Sequence, residues 1–178
     1  MSVEISKAGA EAVERLRGLW LELHHHHQSV QPGWEYKGDE ASWEARREAY
    51  LRRLAGDGSF VLLAEDAGEL VGYLLVEVKT EPDDTWTGDD RFAHVHSLSI
   101  VPAGRGQGLG TRLLDRMEEE LAADGVEDIW IDALTGNEQA IKLYERRGFR
   151  PAVVYLAKLG KAEPGKAKPG KAELRTKA

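Results

Sequence analysis

The first third of the chain carries apolar residues at helical spacing. Residues 10 to 23 place five of them on one face, which predicts an amphipathic helix: Val13, Leu16, Leu19, Trp20 and Leu23. A second helix is predicted over residues 40 to 54, where Trp43, Tyr50, Leu51 and Leu54 form the apolar face.

The following part of the chain favours β-strands. Residues 59 to 65 and 69 to 79 are apolar and rich in β-branched side chains, and the turn residues Asp66, Ala67 and Gly68 lie between them. This arrangement is typical of a β-hairpin. A further short strand is predicted before the first helix, at residues 3 to 6.

The second half alternates between strand and helix patterns. A strand is predicted over residues 92 to 101, followed by a helix that ends near Gly125 and a strand over residues 126 to 133. A helix at residues 137 to 147 and a last strand at residues 149 to 158 complete the pattern. Hairpin strands followed by strand–helix–strand units predict a mixed α/β fold, with helices on both faces of the sheet.

Composition predicts one globular domain over residues 1 to 160, followed by a low-complexity basic tail. Residues 161 to 178 repeat Pro-Gly-Lys-Ala and contain six basic and two acidic residues. Such a segment has little apolar surface to bury, so we expect it to be disordered. The total charge of −7 and the tail's +4 leave −11 on the first 160 residues.

The charge and the absence of certain residues exclude several functional classes. An acidic domain disfavours nucleic acid as a partner and attracts cationic small molecules such as amines. Since no apolar run approaches the roughly 20 residues of a membrane span, and the N-terminus does not resemble a signal peptide, we expect a cytoplasmic protein with no membrane partner. The chain has no cysteine, which excludes disulfides, zinc thiolate sites and a cysteine nucleophile.

A glycine-rich turn lies between a predicted strand and a predicted helix, at Arg105, Gly106, Gln107, Gly108, Leu109 and Gly110. Glycines allow backbone N–H groups to converge on a phosphate, and the helix N-terminus adds its positive end. A dinucleotide fold would need a third glycine where Thr111 stands, although Asp132 lies about 20 residues further on, where such folds carry an acid. A nucleoside triphosphate loop would need a lysine before Thr111, and Gly110 occupies that position.

Two motifs in register resemble the GNAT superfamily of N-acetyltransferases. Arg105, Gly108 and Gly110 fill the pattern Arg/Gln-x-x-Gly-x-Gly/Ala, and residues 137 to 149 follow Asn-x-x-Ala-x-x-x-Tyr-x-x-x-Gly-Phe. The resemblance implies a mostly antiparallel mixed sheet whose strands at 95–101 and 126–133 splay apart. It also implies transfer of acetyl from acetyl-CoA directly to a primary amine of a small molecule or peptide.

The resemblance assigns cofactor contacts to three segments. The main chain of Leu98, Ser99, Ile100 and Val101 would pair with the pantetheine arm as an added strand. The N–H groups from Gly106 to Thr111 would hold the pyrophosphate. Asn137 and Ala140, at the start of the next helix, would also contact the cofactor, and Asn137 can equally serve as a helix N-cap.

Tyr144, His94 and His96 are the candidate catalytic residues. In the family's motif, the hydroxyl of Tyr144 would protonate the departing thiolate, although the ring also fits a core position. His94 and His96 lie two residues apart on a strand and therefore on the same side. Either could accept the amine's proton near neutral pH, or both could be structural.

Acceptor contacts are expected in the connection between the first two helices and at one strand end. His24, His27, Trp34 and Tyr36 are the candidates in the connection, and Glu77 could attract an amine from its strand. A non-catalytic acyl-CoA-binding module remains the alternative function. Only one strand is clear after the last helix, whereas many family members have two, so a homodimer that completes the sheet edge is a further expectation.

Overall fold

The structure of the protein, a computed structural model, describes residues 3 to 81 and 88 to 158. The predicted tail at 161 to 178 lies outside the described residues. The strands are β1 (Glu4–Ala8), β2 (Phe60–Asp66), β3 (Glu69–Thr80), β4 (Arg91–Ile100) and β5 (Ile129–Ile131). The α-helices are α1 (Arg17–Val30), α2 (Asp39–Leu54), α3 (Leu109–Ala123) and α4 (Glu138–Arg146).

The strands form one mixed sheet in the order β1-β2-β3-β4-β5. Neighbouring strands are antiparallel, except that β4 and β5 run parallel. The predicted hairpin between β2 and β3 is confirmed: Ala67 and Gly68 both have positive φ angles, 51° and 86°. Two consecutive residues with positive φ form a tight turn, and the twist of such a turn matches the twist of the two paired strands.

Helices cover both faces of the sheet, as predicted. On one face α1, α2 and the 3-10 segment Ala10–Leu16 bury the side chains Val61, Leu63, Tyr73 and Leu75. On the other face α3 packs through Leu113, Leu114 and Met117, which are completely buried. Strands β2 and β3 are therefore enclosed on both sides, which explains their nearly continuous apolar sequences. In the described ranges, no helix combines the length and the apolar character needed to cross a bilayer.

The first predicted helix differs from the observed one in both bounds. Residues Ala10–Leu16 form a 3-10 helix, and the α-helix then runs to Val30 rather than ending at Leu23. The histidine run at residues 24 to 27 therefore lies within α1, not in the connection. The sequence pattern loses its apolar stripe at His24, but this side chain is buried and stacks on Trp20 at 6.0 Å, so the packed face continues.

The last two predicted strands are also corrected. The strand expected over residues 126 to 133 is only Ile129–Ile131, because Val126 donates its N–H to Leu121 and so belongs to the end of α3. Residues 149 to 158 form no strand, and Tyr155 and Leu156 are 87% and 94% exposed. Pro151 has no N–H to donate, and none of the described strands pairs with this segment.

Candidate active site

A gap opens between β4 and β5 and defines the candidate site. The two strands pair only where Ala93, His94 and Val95 face residues 129 to 131, whereas β4 continues to Ile100. In the described part of the chain, nothing pairs with this second half of β4 on the β5 side. The predicted splay is thus present, with a shorter partner strand.

The main chain along the gap has free hydrogen-bonding groups. Val101 donates its N–H to Val71 at 3.0 Å, so it faces β3. Because successive residues of a strand face opposite edges, Ile100 and Leu98 turn their main-chain groups into the gap. An extended, amide-bearing molecule can therefore pair with β4 here, although Arg105 Nε already donates to the Ile100 carbonyl at 3.0 Å.

The glycine-rich turn at the end of β4 presents a set of unpaired N–H groups. Gly106 and Gly108 have φ angles of 73° and 78°, a conformation that other residues adopt only with strain. The first backbone bond of α3 joins Arg112 N–H to the Gly108 carbonyl at 3.1 Å. The N–H groups of residues 106 to 111 have no acceptor among the described residues. A set of unpaired N–H groups at a helix N-terminus favours the binding of an anion.

The side chains of the turn stabilise it instead of covering it. Gln107 Nε2 donates to the Ala103 carbonyl at 2.7 Å. Arg112 reaches away and donates to the Val3 carbonyl at 2.6 Å. A phosphate at this turn would therefore be bound mainly by main-chain donors.

Gly110 is the point where α3, α4 and β4 meet. A Cβ atom at this position would lie 3.2 Å from Leu143 Cδ2 and 3.4 Å from Ile100 Cδ1. The absence of a side chain therefore brings α4 close to the gap. Asn137 caps α4, since its side-chain oxygen accepts the Ala140 N–H at 3.3 Å, as the N-cap interpretation predicts.

A β-bulge in β4 orients the histidine pair. Val95 is paired with Val76, and Ser97 with Leu75, which leaves His96 as an extra residue. His94 and His96 lie on the same side, as predicted, with ring centroids 4.3 Å apart. Ser97, on the helix α2 side, hydrogen-bonds to the buried Tyr50 hydroxyl at 2.5 Å.

Each histidine has its own carboxylate partner. His94 Nε2 lies 2.9 Å from Asp132 Oδ2, and His96 Nε2 lies 2.6 Å from Glu77 Oε2. Sequence reasoning placed Glu77 among the acceptor contacts, and considered Asp132 only for a dinucleotide fold. The information that the sequence pattern does not show is the parallel pairing of His94 with Trp130. Since Asp132 is two residues after Trp130, it lies on the same face as His94.

The environments of the two histidines differ. Burial, followed by the charges of Arg53 and His94, lowers the pKa of His96 to about 4, despite the opposing effect of Glu77. His96 is therefore neutral at pH 7 and a weak base. His94 is more accessible, with 22% of its side chain exposed against 10% for His96. Its hydrogen bond lowers the pKa of Asp132, which keeps that carboxylate charged.

Tyr144 lies on α4, on the opposite side of the sheet from the histidines. It is half-buried against the α3 core and packs edge-to-face on Phe149 at 6.0 Å. Burial raises the pKa of Tyr144 to about 12, so the hydroxyl is protonated at neutral pH. Within the described ranges, no protein group hydrogen-bonds to it, which leaves the hydroxyl available to a ligand.

Three of the predicted acceptor residues meet in a separate pocket between α1 and α2. His24, His27 and Tyr36 line this α1–α2 pocket, which has a volume of about 260 Å³. Trp34 is not part of it and is 44% exposed. Glu77 lies with His96 instead, as described above.

The α1–α2 pocket makes the fold sensitive to acid. Burial, together with the charge of Arg46, lowers the pKa of His27 from 6.5 to about 4. The unfolded chain therefore binds this proton more readily, and stability is lost as the pH falls from 6.5 towards 4. His27→Gln removes the titrating group. We therefore expect the decrease in the free energy of unfolding between pH 7 and pH 4.5 to be smaller in this variant by about 1 to 2 kcal/mol.

Urea unfolding at several pH values measures this difference. His25→Gln is the matched control on the same helix, because His25 is exposed and paired with Asp39 at 2.8 Å. Equal acid sensitivity in the wild type and His27→Gln would contradict the assignment of a depressed pKa to His27.

Comparisons with known proteins agree with this architecture. N-alpha-acetyltransferase 60 of Xenopus tropicalis is 32% identical in an alignment of 103 residues that covers 51% of this chain and 43% of that protein. The same protein of Danio rerio is 33% identical over 104 residues, again 51% and 43% of the two chains. The chain thus spans less than half the length of these relatives.

Solved structures show the same fold. A GCN5-related N-acetyltransferase from Ralstonia eutropha JMP134 has a TM-score of 0.70 and 21% identity, covering 89% of this chain and 99% of that one. The aminoglycoside N-acetyltransferase AAC(6')-Iy in complex with CoA has a TM-score of 0.62 and 16% identity, covering 90% and 95%. The sequence model of the acetyltransferase (GNAT) family matches residues 20–149. This chain belongs to the GNAT acetyltransferase family.

Proposed function

We propose that the protein is an N-acetyltransferase that moves acetyl from acetyl-CoA directly to a primary amine of a small molecule or peptide. One observation carries this proposal: the gap between β4 and β5 has the unpaired N–H groups of residues 106 to 111 at one end and the His94–Asp132 pair at the other. An anion-binding end and a proton-accepting end are what the two substrates of this reaction require.

The chain's residues fit the cofactor. The N–H groups of residues 106 to 111 would bind the pyrophosphate, and the main-chain groups of Leu98 together with the Ile100 N–H would pair with the amides of the pantetheine arm. Acetyl-CoA would supply a thioester, an acyl group already activated for attack by nitrogen. From His96 to Val101 the strand spans about 17 Å at about 3.3 Å per residue, so an extended arm can connect the two ends.

His94 is the proposed general base. An ammonium cannot attack a carbonyl carbon, so its proton must leave first. With Nε2 of His94 directed at Asp132, Nδ1 remains free to accept that proton, directly or through water. The carboxylate of Asp132 then stabilises the imidazolium and holds the ring in place. His96, which is neutral and a weak base, packs against the His94 ring and positions it.

Tyr144 is the proposed general acid on the other side of the gap. The amine nitrogen forms a bond to the thioester carbon, and the carbon–sulfur bond breaks as the tetrahedral intermediate collapses. The sulfur leaves with the electron pair as a thiolate, which the Tyr144 hydroxyl stabilises and protonates. The phenolate then takes up, through water, the proton that the new amide nitrogen must lose, and His94 returns its proton to solvent. The products are the acetylated amine and free coenzyme A.

Tyr144→Phe tests the acid. We expect turnover to fall by about 10- to 100-fold, because one hydrogen-bond donor to the leaving sulfur is lost. Acetyl-CoA affinity should stay within about twofold, since the ring is kept. Tyr155→Phe, at an 87% exposed position, is the control. Steady-state rates and calorimetric binding measure both effects, and unchanged turnover would remove Tyr144 from the mechanism.

Release of free thiol from acetyl-CoA across a panel of amines tests the function itself. Amine-dependent release is the expected result. A protein that binds the cofactor tightly but releases no thiol with any amine would instead be an acyl-CoA-binding module. The paired His94 and Asp132 favour catalysis, because a binding module has no use for a base at the gap.

A further inference from the structure

Arg46 lies in the wall of the α1–α2 pocket, and no carboxylate among the described residues pairs with it. The neighbouring arginines of α2 are paired: Arg47 with Glu14, Arg52 with Glu48, and Arg53 with Glu77. None of the ion pairs among the described residues includes Arg46. Its guanidinium instead lies 3.9 Å from the centroid of the Trp20 ring and 5.6 Å from that of Tyr50.

The stacking contact prepares Arg46 to bind a ligand. A ring against one face of the guanidinium restricts its rotation and leaves the N–H groups at its edge free to donate. Arginine at such a position matches the two oxygens of a carboxylate. Arg46 is thus preorganised, and little side-chain entropy would be lost on binding.

The rest of the pocket favours a flat group that carries a negative charge. Its lining has two cations, Arg46 and Lys37, and no carboxylate, although the domain as a whole is acidic. The remaining side chains are mostly aromatic: Trp20, His24, His27 and Tyr36. The volume of about 260 Å³ is slightly below the roughly 300 Å³ of complete small-molecule sites. The pocket therefore fits one part of a ligand.

The pocket is connected to the proposed reaction centre through α2. The Trp20 and Tyr50 rings pack edge-to-face at 6.3 Å, and the Tyr50 hydroxyl bonds to Ser97, next to His96. Arg46 and Arg53 lie seven residues apart on α2, or about 10 Å along its axis. Arg53 contacts Glu77 at 3.7 Å, and Glu77 contacts His96. The pocket and the histidine pair therefore lie along the same side of α2.

We propose that the α1–α2 pocket binds a carboxylate on the acceptor, distant from the amine that is acetylated, with Arg46 as the residue that selects it. This inference rests on the proposed N-acetyltransferase function. The acceptor is then an amine that also carries an acid, such as an amino acid derivative or a peptide with an acidic or C-terminal carboxylate.

Binding of a simple probe tests the pocket without any turnover. Phenylacetate combines a flat ring with a carboxylate, and phenylacetamide has the same shape without the charge. By calorimetry we expect the wild type to bind phenylacetate about 10- to 100-fold more tightly than its amide, and Arg46→Gln to lose this preference. Arg47→Gln, which changes the adjacent arginine, should keep it. Equal binding of the two probes by the wild type would overturn the proposal.

Turnover with matched acceptors tests the role in the reaction. Amines are compared as pairs in which a distant carboxylate is replaced by its carboxamide. The wild type should show a lower KM for the carboxylate member, and Arg46→Gln should raise that KM about 10-fold or more while kcat for the carboxamide stays unchanged. Arg46→Lys, which keeps the charge, should restore part of the preference.

The outcomes separate the two proposals. No thiol release with any amine, together with selective phenylacetate binding, would refute the N-acetyltransferase function and the acceptor role but keep the anion site. Thiol release with equal KM values for both members of every pair would refute the carboxylate specificity and keep the enzyme function. A fall in kcat for both members in Arg46→Gln would show that Arg46 is structural and would also overturn the proposal.

Discussion

His94→Gln should lower kcat/KM for the amine by about 100- to 1,000-fold, since it removes the group proposed to accept the proton and keeps a side chain of similar size. The affinity for acetyl-CoA should hardly change, because the proposed cofactor contacts lie further along β4 and in the turn. Steady-state rates across a pH series and calorimetric titration with coenzyme A measure the two quantities. A rise in activity with pH should recover part of the loss, because the free amine becomes more abundant.

The matched control is His25→Gln. His25 also pairs with an aspartate through Nε2, at 2.8 Å from Asp39, but it lies on the surface of α1. Its replacement should leave kcat/KM unchanged. Equal activity of His94→Gln and the wild type would rule out His94 as the base, and a similar loss in both variants would point to a general effect of removing a surface His–Asp pair.

Gly108→Val should weaken the binding of coenzyme A by about 100-fold, equivalent to about 2.7 kcal/mol. Gly108 has a φ of 78° and precedes the first residue of α3. A β-branched residue avoids this conformation, so the turn must change and the N–H groups of residues 106 to 111 no longer converge. No atom lies within 4 Å of a Cβ at this position, so the effect should come from the backbone and not from a clash with the protein.

Gly125→Val is the control for backbone strain. Gly125 has a φ of 70°, also has no atom within 4 Å of an added Cβ, and lies just beyond the other end of α3. Both variants should lose similar stability in urea unfolding, but only Gly108→Val should lose affinity. Retained affinity in Gly108→Val would contradict the placement of the pyrophosphate at this turn.

The sequence was sufficient for most of the sheet and for the turn. Two apolar, β-branched runs joined by Asp66, Ala67 and Gly68 predicted the β2–β3 hairpin, and the glycines at 106 and 108 marked positions that do have positive φ angles. These features depend on local conformational preferences, which a single sequence shows directly. The gap between β4 and β5 was expected only from the resemblance to the family. It depends on how many residues of these two strands pair, and the pattern of one sequence does not show this.

Other features depend on contacts that the sequence pattern does not show. The first helix continues through His24 because the ring stacks on Trp20 and donates through Nε2 to the Lys37 carbonyl at 2.9 Å, so a polar residue is buried. Asp132 and Arg46 were not identified, since each is significant only beside a residue distant in sequence. The segment expected as a strand at 149 to 158 contains the β-branched residues Val153 and Val154, and such residues favour a strand only where a neighbouring edge is available.

The bulge in β4 has a trace in the sequence itself. Ala93 and Val95 face the α3 core, but beyond them the apolar residues are Leu98 and Ile100, so the pattern changes from odd to even positions. The extra residue that makes this change is His96. The bulge therefore turns Leu98 and Ile100 to the same α3 core as Ala93 and Val95, and deletion of His96 would turn them to the opposite face.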